Sequence, residues 1–235
     1  MLHIGTSGYN YPEWKGSFYP ESLPASRMLG YYAERFSTVE INYTFYRMPT
    51  EKVVAGWVAG TPEAFLFGLK APQRITHVAR LRDCADALSR FCDVAQGLGD
   101  RQAPFLFQLP PNFKIDLPRF EAFIALLPAE TRAAFEFRHP SWLNDGVIQA
   151  LRRHNLAWCV ADTGKSEASV VITADYAYFR LRDEGYEAGD IAAWACRIRE
   201  QTTACRDVFV YFKHEEQGKG PAFAAMLRTQ LGQGL

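Results

Sequence analysis

The sequence predicts an α/β fold, a single (β/α)8 barrel of the TIM type. Three observations predict it. Short apolar runs alternate with longer amphipathic stretches along all 235 residues, at about 29 residues per pair, close to the size of a strand–helix repeat. There are eight such runs, and strands that alternate with helices imply a parallel sheet, which eight strands can close. No Gly/Ser-rich linker or charge block divides the chain, so residues 1–235 are expected to form one domain.

The strands are expected at residues 3–6, 38–42, 65–70, 104–109, 134–138, 157–162, 176–181 and 208–213. Between them lie helical patterns such as 83–96, with Leu88, Phe91 and Val94 at helical spacing. The sixth unit is the weakest, because 163–168 is too short for a crossover helix, and an irregular connection is expected there. A doubly wound open sheet is the alternative, but no GxGxxG follows any strand. The stretch 7–23 carries Tyr9, Tyr11, Trp14, Phe18 and Tyr19, which suits a packed loop over the barrel.

Lys plus Arg and Asp plus Glu both number 26, so the chain lacks the basic excess of a general polyanion binder. Any anion site must be local. No basic segment leads into an apolar signal core, and no apolar run approaches the roughly 20 residues that cross a bilayer. The five cysteines are scattered and form no CxxC pair, which points to reduced thiols. The expectation is a cytoplasmic protein without a membrane partner.

Side chains alternate along a strand, and in a barrel one set points inward. The strand ends place polar groups on one alternating set. Glu40 and Asn42 end the second strand, Lys70 the third in phase with Gly68, and Gln108 the fourth in phase with Leu106. Glu136 and Arg138 follow on the fifth. Asp162 ends the sixth in phase with Trp158 and Val160; Arg180 and Arg182 share a face with Tyr178; Lys213-His214 finish the eighth. Buried charges must be paired or solvated. Neighbouring strands would offer Glu40 to Lys70, and Arg138 to Asp162 to Arg180. Such a ring is either a structural ion ladder or a site, and active sites of this fold lie at the C-terminal strand ends.

Several motifs resemble one family. Gly5-Thr6-Ser7-Gly8-Tyr9 with Trp14, Gly16 and Phe18-Tyr19-Pro20 is similar to the opening signature of the YecE-like family, also called domain-of-unknown-function family 72. Val39-Glu40-Ile41-Asn42-Tyr43-Thr44-Phe45-Tyr46-Arg47 resembles its second motif. Lys70 with Ile75-Thr76-His77, Phe107-Gln108-Leu109-Pro110-Pro111, and Phe135-Glu136-Phe137-Arg138-His139 with Trp142 continue the match in order, as far as Arg180. The resemblance implies a TIM-type barrel and assigns no activity. The sequence departs from the family's usual pattern twice: Arg182-Asp183 stands where His-Gly is usual, and Lys213-His214 where an Asn pair is usual.

These residues bear on three chemistries. His77, His139 and His214 with Glu40, Glu136 and Asp162 could ligate a divalent metal, but no HxH or HExxH spacing is present, so no cofactor is expected. Acid/base work would fall to Glu40, Lys70, Glu136 and Asp162; burial raises a carboxyl such as Glu136 while Arg138 lowers it. Ser7 lacks the nucleophile-elbow sequence. Substrate binding would fall to Asn42, Tyr46, Arg47, His77, Gln108, Arg138, His139, Trp142 and Arg180. The mouth collects Lys70, Arg138, Arg180, Arg182 and Lys213, with Arg47 and Arg74 nearby, a basic local balance suited to phosphate or carboxylate. Trp14, Phe18, Tyr19, Phe45, Tyr46 and Trp142 would either stack on a ligand or seal the barrel. The first expectation is therefore an enzyme for a small anionic substrate, a phosphorylated sugar or nucleotide-like molecule. The alternative is a nucleic-acid-binding or metal-dependent, endonuclease-like module.

Overall fold

The computed structural model describes residues 1–164 and 168–232. The strands are β1 (Leu2–Ser7), β2 (Thr38–Ile41), β3 (Leu66–Leu69), β4 (Phe105–Gln108), β5 (Ala133–Glu136), β6 (Ala157–Asp162), β7 (Tyr176–Leu181) and β8 (Asp207–Phe212). Each lies within two residues of its expected bounds. They pair in parallel in the order β3-β2-β1-β8-β7-β6-β5-β4. The last seam, between β3 and β4, is joined by bridges of Phe67 with Gln102 and Lys70 with Leu106. There the Ala103 amide donates to the Phe67 carbonyl (3.0 Å) and the Ala71 amide to the Leu106 carbonyl (2.8 Å). The result is a nearly closed eight-stranded barrel, which hides the sheet edges.

Around it lie α1 (Met28–Ala33), α2 (Tyr43–Tyr46), α3 (Glu51–Ala59), α4 (Ala85–Ala95), α5 (Leu117–Ile124), α6 (Asp145–Arg153), α7 (Ala188–Gln201) and α8 (Lys219–Gln230). Short polar side chains start several of them by accepting orphan first-turn amides: Thr50 from Val53, Asp116 from Arg119, Asn144 from Gly146. Between β6 and β7 no helix forms among the described residues, in line with the short sixth unit. No described helix is long and apolar enough to cross a membrane.

The barrel interior is packed by size. Tyr176 and Tyr178 of β7 and Phe209 and Tyr211 of β8 fill it, opposite Ala134, Ala157, Cys159 and Leu106. Gly68 of β3 completes the fit, since a Cβ there would stand 3.3 Å from the Tyr211 hydroxyl and 3.5 Å from that of Tyr178. Buried phenols need partners. Tyr211 meets the Thr38 hydroxyl at 2.8 Å, and Tyr176 bridges the Ala133 amide (2.8 Å) and carbonyl (2.9 Å).

The segment 7–23 is packed, and Trp14, Phe18 and Tyr19 join the outer core against Tyr31, Tyr32 and Phe36. Trp14 and Tyr19 are buried and stack with ring centroids 6.1 Å apart, so neither is placed to meet a ligand.

Candidate functional site at the barrel mouth

At the C-terminal strand ends the inward residues form a layered polar cluster. Its base is Arg180, fully buried between two buried carboxylates. Arg180 donates from Nε (3.1 Å) and Nη2 (2.8 Å) to Glu40 Oε1, and from Nη1 to Glu136 Oε2. Tyr178 donates to Glu40 Oε2 at 2.6 Å, and the Ser7 hydroxyl donates to Oε1. Ser7 Oγ in turn accepts from Asn42 Nδ2 (2.7 Å) and Arg180 Nη2 (3.1 Å). Glu136 Oε1 accepts from Gln108 Nε2 (2.7 Å) and Arg138 Nε (2.9 Å). Each carboxylate oxygen thus has at least one donor, as buried charge requires. Burial would raise the Glu136 carboxyl, but the guanidiniums of Arg180, Arg138 and Arg182 hold it well below the usual carboxylate range.

Above this balanced base, cations are in excess. The ammonium of Lys70 lies 4.0 Å from the centre of the Phe45 ring and has no carboxylate partner among the described residues. Burial first, then the nearby Arg180 and Lys213 charges, bring its pKa down to about 7 against the pull of Glu40 and Glu136. Arg182, also inward on β7's line, has a buried Nε without an acceptor. Burial and the Arg138 and Arg180 charges push it below its ordinary value, although Glu136 opposes them. His77 meets the Phe45 ring edge-on, with centroids 4.9 Å apart, and its Nδ1 pairs with Thr76 Oγ1 at 2.9 Å. Burial and the charges of Lys70 and Arg138 lower its pKa.

The expected site residues separate accordingly. Glu40, Asn42, Lys70, Gln108, Glu136, Arg138 and Arg180 meet at the mouth, with His77 edge-on to Phe45 beside them. Their pairing differs from expectation: Glu40 pairs with Arg180 instead of Lys70, and Arg138 pairs with Glu136. Asp162 is a correction. The interior of β6 is lined by Ala157 and Cys159, so Trp158, Val160 and Asp162 face the helices. Asp162 accepts there from the Tyr186 hydroxyl (2.6 Å), the Trp194 indole N–H (3.1 Å) and the Gly164 amide (3.0 Å). It anchors the end of β6 to α7 and takes no part in an Arg138–Arg180 ladder. Asp162→Ala is expected to cost about 1–2 kcal/mol in a urea titration, because three donors lose their acceptor, while anion binding at the mouth is unchanged.

Of the other expected binding residues, Trp142 is a correction, and His139 and Arg47 stand apart from the polar cluster. Trp142 is buried, donates to the Phe113 carbonyl (2.6 Å) and packs on Phe137. His139 Nδ1 accepts the Ser141 amide at 3.2 Å and caps the short turn Pro140–Trp142. Arg47 is exposed past the end of α2 and makes no side-chain polar contact among the described residues. Tyr46 stays at the rim, 74% exposed, with its ring edge on Phe45. The structure adds two residues to the expected site, Ser7 and Tyr178. Both lie on the inward set, Ser7 at the end of β1 and Tyr178 two residues before Arg180, and strand alternation alone could have flagged them.

The pattern that defines the family described as "Protein of unknown function DUF72" matches residues 3–235. The chain belongs to the DUF72 family. Among DUF72 relatives, the UPF0759 protein YecE of Escherichia coli (strain K12) is 33% identical over 147 residues, 62% of this chain and 52% of that protein. This match spans about half the length of the relative. The UPF0759 protein YunF of Bacillus subtilis (strain 168) is 23% identical over 93% of this chain and 90% of its own length. The structure is similar to that of the DUF72 family protein TM1631 from Thermotoga maritima MSB8, with a TM-score of 0.88 and 27% identity, covering 98% of this chain and 99% of that one. A DUF72 family protein from Enterococcus faecalis V583 shares the fold at a TM-score of 0.84 and 17% identity, covering 100% and 97%. The two departures from the family's usual pattern meet in space. His214 Nε2 contacts the Asp183 carbonyl at 2.6 Å, and Arg182, Asp183 and Lys213 line one cleft of 400 Å³ beside the mouth.

Proposed function

We propose that the mouth of the barrel binds a small anionic substrate, of the phosphorylated sugar or nucleotide-like kind, and acts on it by acid/base chemistry. One observation carries this reading: the base of the mouth is electrically balanced and the rim is not. Glu40 and Glu136 are matched by Arg180 and Arg138, and Lys213 has Glu215 at 3.7 Å. Lys70 and Arg182 are left over, and each is depressed by burial and by neighbouring cations. A bound anion would relieve that repulsion, and a guanidinium beside an ammonium suits phosphate or carboxylate.

Inorganic phosphate and sulfate at millimolar concentration are expected to raise the melting temperature. At tenfold excess over Kd the gain is about 1.4 kcal/mol, roughly 3–5 °C for a chain of this size. Sulfate also stabilises proteins without binding, so the decisive comparison is Arg182→Gln, which should remove most of the shift. Equal shifts in both proteins would defeat the reading. The exposed Tyr43 and Tyr46 at the rim would instead support nucleic-acid binding, if oligonucleotides bound with a steep salt slope and small anions did nothing.

A further inference from the structure

Lys70 is placed unlike any other cation of the mouth. Its backbone is held on three sides: its amide donates to the Ile41 carbonyl (3.1 Å), its carbonyl accepts from Thr44 Oγ1 (2.6 Å), and its residue bridges Leu106 across the closing seam. The side chain leaves this fixed point toward the barrel axis, in phase with Gly68. Both nearby carboxylates are already engaged, Glu40 by Arg180, Ser7 and Tyr178, and Glu136 by Arg180, Arg138 and Gln108. What the amine does touch is the face of Phe45, which walls one side of it and leaves the rest of the nitrogen turned to the mouth without a carboxylate partner among the described residues. His77 stands against the same ring, and its Nε2 has no hydrogen-bond partner among the described residues.

We propose that Lys70 is a nucleophile that forms an imine with the carbonyl carbon of a small aldehyde or ketone carrying a phosphate or carboxylate. This deepens the anion reading and rests on it: Arg182 and the rim cations hold the charged group while Lys70 meets the carbonyl. The amine lone pair attacks the carbonyl carbon, a C–N bond forms, and the carbonyl π pair moves to oxygen. That oxygen takes up the proton the nitrogen gives off, yielding a carbinolamine. The carbinolamine hydroxyl then takes up one proton from solvent and leaves as water, and the nitrogen lone pair forms the second C–N bond, giving the protonated imine. No oxidant or reductant is needed. A free amine at neutral pH is the requirement, and burial among Arg180 and Lys213 supplies it, with the Lys70 pKa brought down to about 7.

The test is reductive trapping on the whole chain. Glycolaldehyde phosphate and pyruvate, each with cyanoborohydride at pH 7, are followed by intact mass and peptide mapping. Lys70 is expected to carry at least tenfold more adduct than Lys15, Lys52, Lys114 or Lys219, and Lys70→Arg should lose that adduct while melting as a folded protein. Arg182→Gln should cut trapping of glycolaldehyde phosphate severalfold more than it cuts trapping of uncharged propanal. A probe that raises the melting temperature yet leaves no excess adduct on Lys70 would overturn the imine and leave the anion site standing. Adduct spread evenly over the lysines, with no probe stabilising the protein, would remove both.

Discussion

Arg180→Met is expected to lower the stability of the folded protein by about 3–5 kcal/mol, the usual loss when one partner of a buried ion pair is removed. The guanidinium is fully buried and reaches both Glu40 and Glu136. Without it Glu40 keeps only the hydroxyls of Ser7 and Tyr178, and Glu136 keeps Arg138 and Gln108. The two buried carboxylates would then be left with one paired guanidinium, that of Arg138 on Glu136. The pH dependence identifies the cause. In the parent protein the Glu136 carboxyl lies below its unfolded value, so its contribution is complete above the unfolded pKa and is lost only as pH falls through the lower, folded one. The variant lacks the largest of the charges that hold the Glu136 carboxyl down, so burial weighs more against its ionised form. The resulting loss is largest at neutral pH and shrinks as acid protonates that carboxyl. Urea titrations from pH 4 to 7 should therefore show the gap between the two proteins narrowing toward acid. A loss below about 1 kcal/mol with no change in slope would mean that water already solvates the cluster.

Most of the fold, and the place of the site, can be read from alternation and spacing. The inward sets of β2, β3, β4, β5 and β7 follow directly from the polar strand ends Glu40, Lys70, Gln108, Glu136 and Arg180. The phase of β6 does not, because both of its faces are apolar: Trp158 and Val160 on one, Ala157 and Cys159 on the other. Volume decides between them. The interior beside β6 is already filled by Tyr176 and Tyr178, and Cys159 stands level with Tyr178, so only small side chains fit inward. Ala161, level with Arg180, keeps the inward face small at the mouth, and Asp162 is turned to the helices.

Pairing was less legible than position. Reasoning from neighbouring strands offers Glu40 to Lys70, yet Glu40 lies level with Gly68, one inward step below. Arg180 is long enough to cross the barrel from β7 to β2 and reach Glu40, 140 residues away in sequence. That reach is invisible to any rule built on adjacent strands. The loop beyond β5 shows a second limit. Alternation ends with the strand, and the turn Pro140–Trp142 swings the indole into the core against Phe137 and Phe120.

Lys70→Met should raise stability at pH 6 by about 2–3 kcal/mol, and the gain should disappear by about pH 10.5. The sign follows from the two protonation states. The ammonium has an ordinary pKa of 10.5 in the unfolded chain and about 7 in the fold. Below pH 7 both states are charged, and the fold carries the full penalty of holding that charge against Arg180 and Lys213. Between 7 and 10.5 the unfolded chain binds the extra proton, so stability rises with pH; above 10.5 both states are neutral and the penalty is gone. The nominal penalty is about 1.36 kcal/mol for each pH unit between the two values. Water reaching the half-buried mouth screens part of it, hence the smaller figure. Methionine fits the same space, and its thioether keeps a favourable contact with Phe45, so the cation–π contact is replaced with little loss. Urea titrations of parent and variant at pH 6, 8 and 10 are sufficient. A difference that stays constant across that range would show an ordinary, solvated ammonium, and with it the reason for a neutral amine at Lys70 would go.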